Sequence, residues 1–481
     1  MKKRLIYYII LFALILNGCS KETDDIDVDD PPTTVTLTYP KKEMRAVWMV
    51  TAWELDWPRG DHNMASQKQQ YITYLEKFKQ LHINTLFFQV KGMGDAFYDS
   101  PYEPWSESIT GVRGQDPGYD ILTFMIDEAH KRDIEFHAWM NPYRIDTRAS
   151  SSQPFAPLHP SVKPEWVMHH EKIQIYNPAL PEVRQRLTDI VKDMITKYDV
   201  DGIHFDDYFY PDPSSAGQMV SDKTDYEALG ADYNTIEAFR RANVDKAIKG
   251  VYDLIVNTKP DVVFSVSPAA SYTYNLNTLY ADVKKWCQEG WIDLLIPQLY
   301  QEIGNPVNDF QSNLGWWSQY NYQAALMIGH AIYKFGDPAQ ASAFQSTTEL
   351  SRQFELTRRN RKVAGNALYS ARYILENKIG ITDMISTLYS SPSLIPFIGR
   401  SVAPEPQKPG NVRIDNGQLK WDSTGDVRSV IYYFADPEKE GVIHAMTRDH
   451  FTSVTSKGFY CISTINKDNK ESDPSEIVEK R

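Results

Sequence analysis

Two adjacent carboxylates, Asp206 and Asp207, close the segment VDGIHFDDYFYP that runs from Val200 to Pro211. Side chains alternate across a strand, so Ile203 and Phe205 share one face while Gly202, His204 and Asp206 share the other. The apolar face suits packing under a helix, and the polar face must look toward water or a substrate. In a barrel of parallel strands that place is the mouth formed by the carboxyl ends of the strands. Asp206 is therefore the first candidate for a nucleophile or general base. Asp207, one step further, points the other way and reads as a hydrogen-bond anchor or loop organiser.

The same alternation gathers other polar and aromatic groups toward that mouth. It selects Gln89 in INTLFFQV, then His137, Trp139 and Asn141 in IEFHAWMN, then Ser265 and Ser267 in VVFSVS. Gln298 and Tyr300 follow in IDLLIPQLY, with Glu302 two residues on. Branched aliphatics normally fill a barrel core, so polar groups at this end point to a ligand. Amides, imidazole and carboxylates beside many aromatics suit a sugar, whose hydroxyls take hydrogen bonds and whose C–H faces stack on rings. Trp53, Trp57 and Trp105, on loops after strands, are the candidate platforms. Cleaving a glycosidic bond needs two carboxyl groups. Glu302 and Asp95 are the candidates for the second, with Glu54 behind them. Histidines 137, 204 and 330 could converge on a metal, but the chain has no HExxH helix, no HxH pair after its first strand and no paired cysteine spacing. No metal and no other cofactor is expected, and no glycine-rich phosphate loop follows the first strand.

The elements that must position these residues alternate between β and α patterns. Strands are predicted at Arg45–Thr51, Ile83–Val90, Ile134–Met140, the opening segment, Val262–Ser267, Ile292–Tyr300, Ala324–His330 and Asn366–Ala371. Helices are predicted between them, at Ser66–Leu81 with Ser66 as cap, Pro117–Arg132, Pro181–Tyr198, Thr235–Asn257, Leu279–Glu289, Phe310–Tyr320, Thr347–Arg361 and Tyr373–Leu388. Eight such repeats argue for an α/β protein built as a (β/α)8 TIM-type barrel, over residues 41–400. Residues 401–481 open with a proline-rich linker and continue as short alternating strands, the pattern of a small C-terminal β-sandwich with Trp421 and Tyr433 in its core.

The chain of 481 residues carries a formal charge of -12, which makes nucleic acid an unsuitable partner. Residues 1–19 begin with Lys2, Lys3 and Arg4, continue in an apolar run and end in LNGC. That resembles a lipoprotein signal in which Cys19 is lipidated. The apolar run is short for a membrane span. Residues 20–40, rich in aspartate, read as a solvated acidic tether. The expected product is an outer membrane lipoprotein, held at the cell surface or the periplasmic face and otherwise a soluble monomer. Cys287 and Cys461 fall in different domains and are expected to be inert buried thiols.

RAVWMVTAWELDWP, INTLFFQVKGMGDAFY, DPGYDILTFMIDEAHKRDIEFHAWMNPYRI, YDVDGIHFDDYFYP and GWIDLLIPQLY together resemble the glycosyl hydrolase-like 10 family of exported bacterial proteins. The resemblance spans Arg45 to Leu388. It implies a TIM-type barrel and action on glycosidic bonds, one branch of the family being a peptidoglycan glycosidase that prefers strands without stem peptides. Asp206, Asp207, Asp95, Asn141 and Gln298 match family motif positions. Two departures, SVSPAASYTYN after the fifth strand and Gln301 after the sixth, fall at the mouth. The C-terminal module resembles fibronectin type III domains. The expectation is a metal-independent glycoside hydrolase acting on a polysaccharide or peptidoglycan substrate through two carboxylates. A non-catalytic glycan-binding protein and a metal-dependent sugar deacetylase are the alternatives.

Overall fold

The computed structural model describes residues 37–481 apart from 151, 171 and 214–218. The signal segment, Cys19 and most of the acidic tether lie outside the described residues. The chain first forms β1 (Met44–Met49), β2 (Thr85–Lys91) and β3 (Glu135–Met140). A small antiparallel sheet follows, made of β4 (Arg144–Thr147), β5 (Val167–His170) and β6 (Ile173–Tyr176). It was not apparent from the sequence, because its strands are four residues long and lie where a loop was expected. The parallel series then resumes with β7 (Gly202–Phe205), β8 (Val263–Val266), β9 (Leu294–Leu295), β10 (Ala325–Ala331) and β11 (Val363–Tyr369). Eight of these strands close a barrel in the order β1-β11-β10-β9-β8-β7-β3-β2.

Pro297 cuts β9 short, since proline cannot donate to a ladder. The chain nevertheless keeps its course, because Ile296 and Gln298 still donate to the carbonyls of Val266 and Pro268. Helix limits shift by a few residues from those predicted. The first helix, Met64–Gln80, is capped by Asn63, whose side chain accepts from the Ser66 backbone, so Ser66 is a helical residue and not the cap. The closing helix is split into Ala371–Glu376 and Ile381–Leu388, because Asn377, Ile379 and Gly380 adopt positive φ.

Inside the barrel, Met44, Ala46, Trp48, Phe87, Trp139, Leu294, Met327 and Ala367 form one buried cluster, and Ile395 closes it from below. Ile203, Phe205 and Phe264 belong instead to the cluster between strands and helices. His137 fills its layer so completely that Gly202 opposite has no room for a side chain. A Cβ there would stand 2.1 Å from His137 Nδ1.

The C-terminal sandwich pairs a three-stranded sheet of β12 (Gly410–Asp415), β13 (Gln418–Asp422) and β16 (Phe451–Ser453) with a four-stranded one. The latter contains β14 (Arg428–Phe434), β15 (Val442–Thr447), β17 (Gly458–Ile465) and β18 (Val478–Lys480). Trp421, Ile431, Tyr460 and Ile462 form the core between the sheets, with Tyr433 packed against it. The outer face of the larger sheet is covered too, by Leu394 and by Leu37. Tyr39 stands edge-on to Tyr432 at 4.9 Å, and Thr38 bridges to Glu440. The end of the tether therefore packs on the sandwich, its apolar residues finding a greasy sheet face in place of water. A cavity of about 270 Å³ lies where the sandwich meets the strand starts. Its charges pair across the seam, as Arg428 does with Asp133 and Lys467 with Asp261, so it reads as a domain junction.

Gly202→Val is expected to lower stability by about 1–3 kcal/mol or more through overpacking against His137. Urea unfolding followed by circular dichroism measures this. Combining it with His137→Ala should restore part of the loss, and no restoration would show that the strain lies elsewhere.

Candidate active site

The site is built where β3 and β7 run side by side, with Trp139 in register with His204. The strand β7 ends at Phe205, and Asp206 follows as the first residue of the loop. It is buried, with 3 % of its surface exposed. A buried carboxylate needs donors, and it has them: Trp139 Nε1 donates to Oδ2 at 3.0 Å, and Asn141 Nδ2 donates to Oδ1 at 3.2 Å. The Tyr208 backbone N–H donates to Oδ1 at 3.3 Å. The Asp206 carboxyl still lies above its ordinary value, because burial outweighs the Arg144 guanidinium and these donors, which pull it down.

A cavity of about 310 Å³ opens above this carboxylate. Asp206 and Asp207 both line it, together with Ser267 and Gln298. Rings of Trp48, Trp139, Tyr208, Tyr300, Tyr333 and Tyr369 make the rest of the wall. Asp207 thus faces the same space as Asp206. Strand alternation does not apply to it, because the strand has ended two residues earlier. Burial raises the Asp207 carboxyl to about 7; the Asp206 carboxylate beside it adds to the rise, and a hydrogen bond from Gln298 opposes it. Two neighbouring carboxyls are thereby given different tasks: one accepts a full set of hydrogen bonds, and the other retains a proton near neutrality.

Arg144 forms the rim. Its guanidinium carbon lies 5.1 Å from the Trp53 ring centre and 4.9 Å from that of Tyr208, and its Nε donates to the Gly92 carbonyl at 2.9 Å. Asn141 fixes it in place, since its Oδ1 accepts from the Arg144 backbone at 2.8 Å while its amide nitrogen serves Asp206. Trp53 is 59 % exposed and Tyr208 48 %, so both rings are open to a ligand. A second groove of about 200 Å³ lies beyond Trp53 and contains Asp95, Arg113 and Asp146.

Several residues singled out in the sequence lie elsewhere. Asp95 belongs to that second groove, where Arg113 pairs with it at 3.5 Å. Glu302 is outside the Asp206 cavity and accepts from Asn305 at 3.0 Å, because the chain turns away after Tyr300. Trp57 is wholly buried and donates to the Gln67 carbonyl, so it is core and no platform. Trp105 is half-buried and packs against the outer cluster. Gln89 is buried and its carbonyl accepts from the backbones of Thr51 and Ala52, which holds the loop carrying Trp53.

His137 sits in the core against Phe87 and Glu135. His204 lies below the cavity floor. The Trp48 indole donates to its Nε2 at 3.1 Å, so its proton resides on Nδ1, which donates to Ser265 at 2.8 Å. Burial and the nearby His137 hold His204 far below the usual imidazole range. It acts as a neutral post under Trp48. His330 bonds Gln353 and Asn366 instead, so the three histidines do not converge. Among the described residues no group of three metal-ligating side chains comes together.

The sequence reading passed over Trp48, Arg144, Tyr208, Tyr333 and Tyr369 as site residues. Tyr369 had a signal, because alternation through NALYSA puts it on the same face as Ala367. Arg144 had none, since its place depends on the unforeseen β4.

Residues 43–346 match the family described as Glycosyl hydrolase-like 10. The chain is 37% identical over 402 residues to the glycosyl hydrolase YngK of Bacillus subtilis strain 168, across 79% of this chain and 78% of that protein. It is 32% identical over 424 residues to the glycosyl hydrolase DigH of Escherichia coli K12, across 79% and 95% of the two chains. Among solved structures, the glycoside hydrolase domain of PgaB from Bordetella bronchiseptica aligns with a TM-score of 0.49 and 11% identity, over 72% of this chain and 98% of that one.

The raised Asp207 carboxyl makes a stability prediction. Its folded value, about 7, lies above the ordinary 3.8, so the folded state binds the proton more tightly. Stability from this group falls as pH climbs from about 4, and the cost is complete above about 7. Asp207→Asn, which stays neutral, should therefore gain melting temperature over the wild type at pH 8 and not at pH 4. Differential scanning calorimetry at the two pH values tests it; an equal offset at both would remove the titration of Asp207 as its cause.

Proposed function

Because the chain belongs to the glycosyl hydrolase-like 10 family, we propose that it hydrolyses glycosidic bonds in a polysaccharide or in peptidoglycan glycan strands. Asp207 is the proton donor to the leaving oxygen, and Asp206 is its ionised partner. The observation that carries this reading is the placing of two differently tuned carboxyls in one aromatic cavity. A general acid works best with a pKa near the working pH, and Asp207 has one. Asp206 is addressed by indole, amide and backbone donors that favour its charged form. The tyrosines and Trp48 offer ring faces to a sugar, while Trp53 extends the surface toward the second groove. No step of this reading needs a metal or an organic cofactor.

The family and the cavity support a carbohydrate substrate; the choice of peptidoglycan rests on the sequence resemblance. The cellular setting also rests on sequence. Cys19 in its LNGC context is proposed to anchor the mature chain at the outer membrane, on the surface or the periplasmic side. Among the described residues no helix is long and apolar enough to cross a membrane.

Purified mature protein should release new reducing ends from denuded peptidoglycan strands or from one member of a polysaccharide panel. Asp207→Asn is expected to lose about 10²–10⁴ of kcat/KM, the usual worth of a general acid. The wild-type profile should fall as pH passes about 7, where Asp207 gives up its proton. Unchanged cleavage by Asp207→Asn and Asp206→Asn would remove both from the mechanism. Binding without any cleavage by the wild type would replace the enzyme with a glycan-binding protein.

A further inference from the structure

Where the sugar on the donor side of the scissile bond carries a 2-acetamido group, as in peptidoglycan strands, we infer that the carbonyl oxygen of this group, and no protein side chain, attacks the anomeric carbon. The inference rests on the glycosidase reading above and supplies the nucleophile that this reading leaves open.

The argument begins with what flanks the reacting sugar. A hydrolase that uses two carboxyls directly places them on opposite sides of the glycosidic bond, about 5–5.5 Å apart for a protein nucleophile and about 6.5–9.5 Å apart for an activated water. Here the two carboxyls belong to consecutive residues at the end of a single strand, β7, and both enter the cavity from that one edge. Among the described residues no other carboxylate lines the cavity. Asp95 is in the next groove with Arg113, and Glu302 is engaged in its own loop. The far wall is instead aromatic, made by Tyr300, Tyr333 and Tyr369. Burial raises all three phenols above their ordinary value, so they stay protonated and make poor nucleophiles. Asp206 is itself poorly placed to attack, because both of its oxygens already accept hydrogen bonds and only 3 % of the residue is exposed. It is better suited to remain a fixed negative charge. A site with one acid, one fixed anion beside it and no opposite carboxylate suits a substrate that brings its own nucleophile.

The step balances without any further reagent. Asp207 gives its proton to the leaving oxygen as the bond from that oxygen to C1 breaks. The acetamido carbonyl oxygen forms a bond to C1, and the resulting oxazolinium ion carries its positive charge on the ring that contains the amide nitrogen. Asp206, a fixed negative charge beside that ring, balances it. Asp207, now a carboxylate, takes a proton from water, whose oxygen attacks C1 and expels the carbonyl oxygen. The acetamide is restored, the proton is back on Asp207 and the anomeric configuration is retained. Trp48, Trp139 and Ser267 supply the floor against which the acetamido group would lie, and the hydroxyl of Ser267 is directed to the neutral His204.

The test uses the mature chain on denuded peptidoglycan strands and on oligomers of 2-acetamido sugars, beside the same glycans after chemical removal of the N-acetyl groups. Cleavage should fall by at least about 100-fold without the carbonyl, in keeping with the loss of an intramolecular reactant. Across acetyl, fluoroacetyl, difluoroacetyl and trifluoroacetyl substrates kcat should drop stepwise, since each fluorine weakens the carbonyl oxygen as a nucleophile. A 1,2-thiazoline analogue of the sugar should inhibit the wild type competitively and bind much less tightly to Asp206→Asn. Equal rates on acetylated and de-acetylated glycans, inversion of configuration, or a covalent glycosyl adduct on a carboxylate found by mass spectrometry would each overturn the inference and leave the glycosidase reading standing. Cleavage of none of these glycans, nor of the polysaccharide panel, would overturn both.

Discussion

The site depends on supplying hydrogen-bond donors to a carboxyl buried at a strand end. Burial alone would drive Asp206 to hold a proton. Trp139 Nε1 and Asn141 Nδ2, two residues apart on β3 and just past its end, oppose this with direct hydrogen bonds. Neither donor could reach Asp206 unless β3 and β7 were neighbours in this register, with His137 opposite Gly202 and Trp139 opposite His204. Barrel closure and chemistry are therefore one requirement. A one-residue slip of β7 would send Ile203 and Phe205 inward and take Asp206 out of reach.

The layer below exists to hold this arrangement. A polar residue within a barrel core is costly unless its hydrogen bonds are satisfied. His204 satisfies its own through Trp48, Ser265 and Ser267, and in doing so it fixes the indole that floors the cavity. Gln89 does the same for the backbone of the loop that presents Trp53. His204 and Gln89 do not line the cavity, yet they determine where residues that line it or its rim are placed.

Much of this was legible in the sequence. Alternation alone put Trp139, Asn141, Asp206, Gln298 and Tyr300 toward one end of the barrel, and the eight strands were all found. The period of two tells which face a side chain takes, but not its height along the axis. That is why His137 and His204, on the correct face, turned out to lie beneath the cavity. The rule also ends where the strand ends. Applied one residue too far it turned Asp207 away from Asp206, and extended past Tyr300 it favoured Glu302, whose loop goes elsewhere. Trp57 misled for another reason: a loop tryptophan after a strand is as well suited to filling the space against Phe88 and Phe97 as to holding a sugar.

Arg144 shows why a site of this kind is hard to read one residue at a time. It comes from a four-residue strand with little pattern, and its value depends on contacts from three separate loops: Trp53 after β1, Gly92 after β2 and Tyr208 after β7. Its charge pulls both aspartates down, and on Asp207 burial and the adjacent carboxylate work against it. Asn141 joins these effects physically, one end of its amide holding the arginine backbone and the other the Asp206 carboxylate. The inequality between two chemically identical neighbours thus arises from geometry: Asp206 is turned toward the donors of β3 and the cation, and Asp207 faces the cavity beside a second carboxyl, which favours its protonated form.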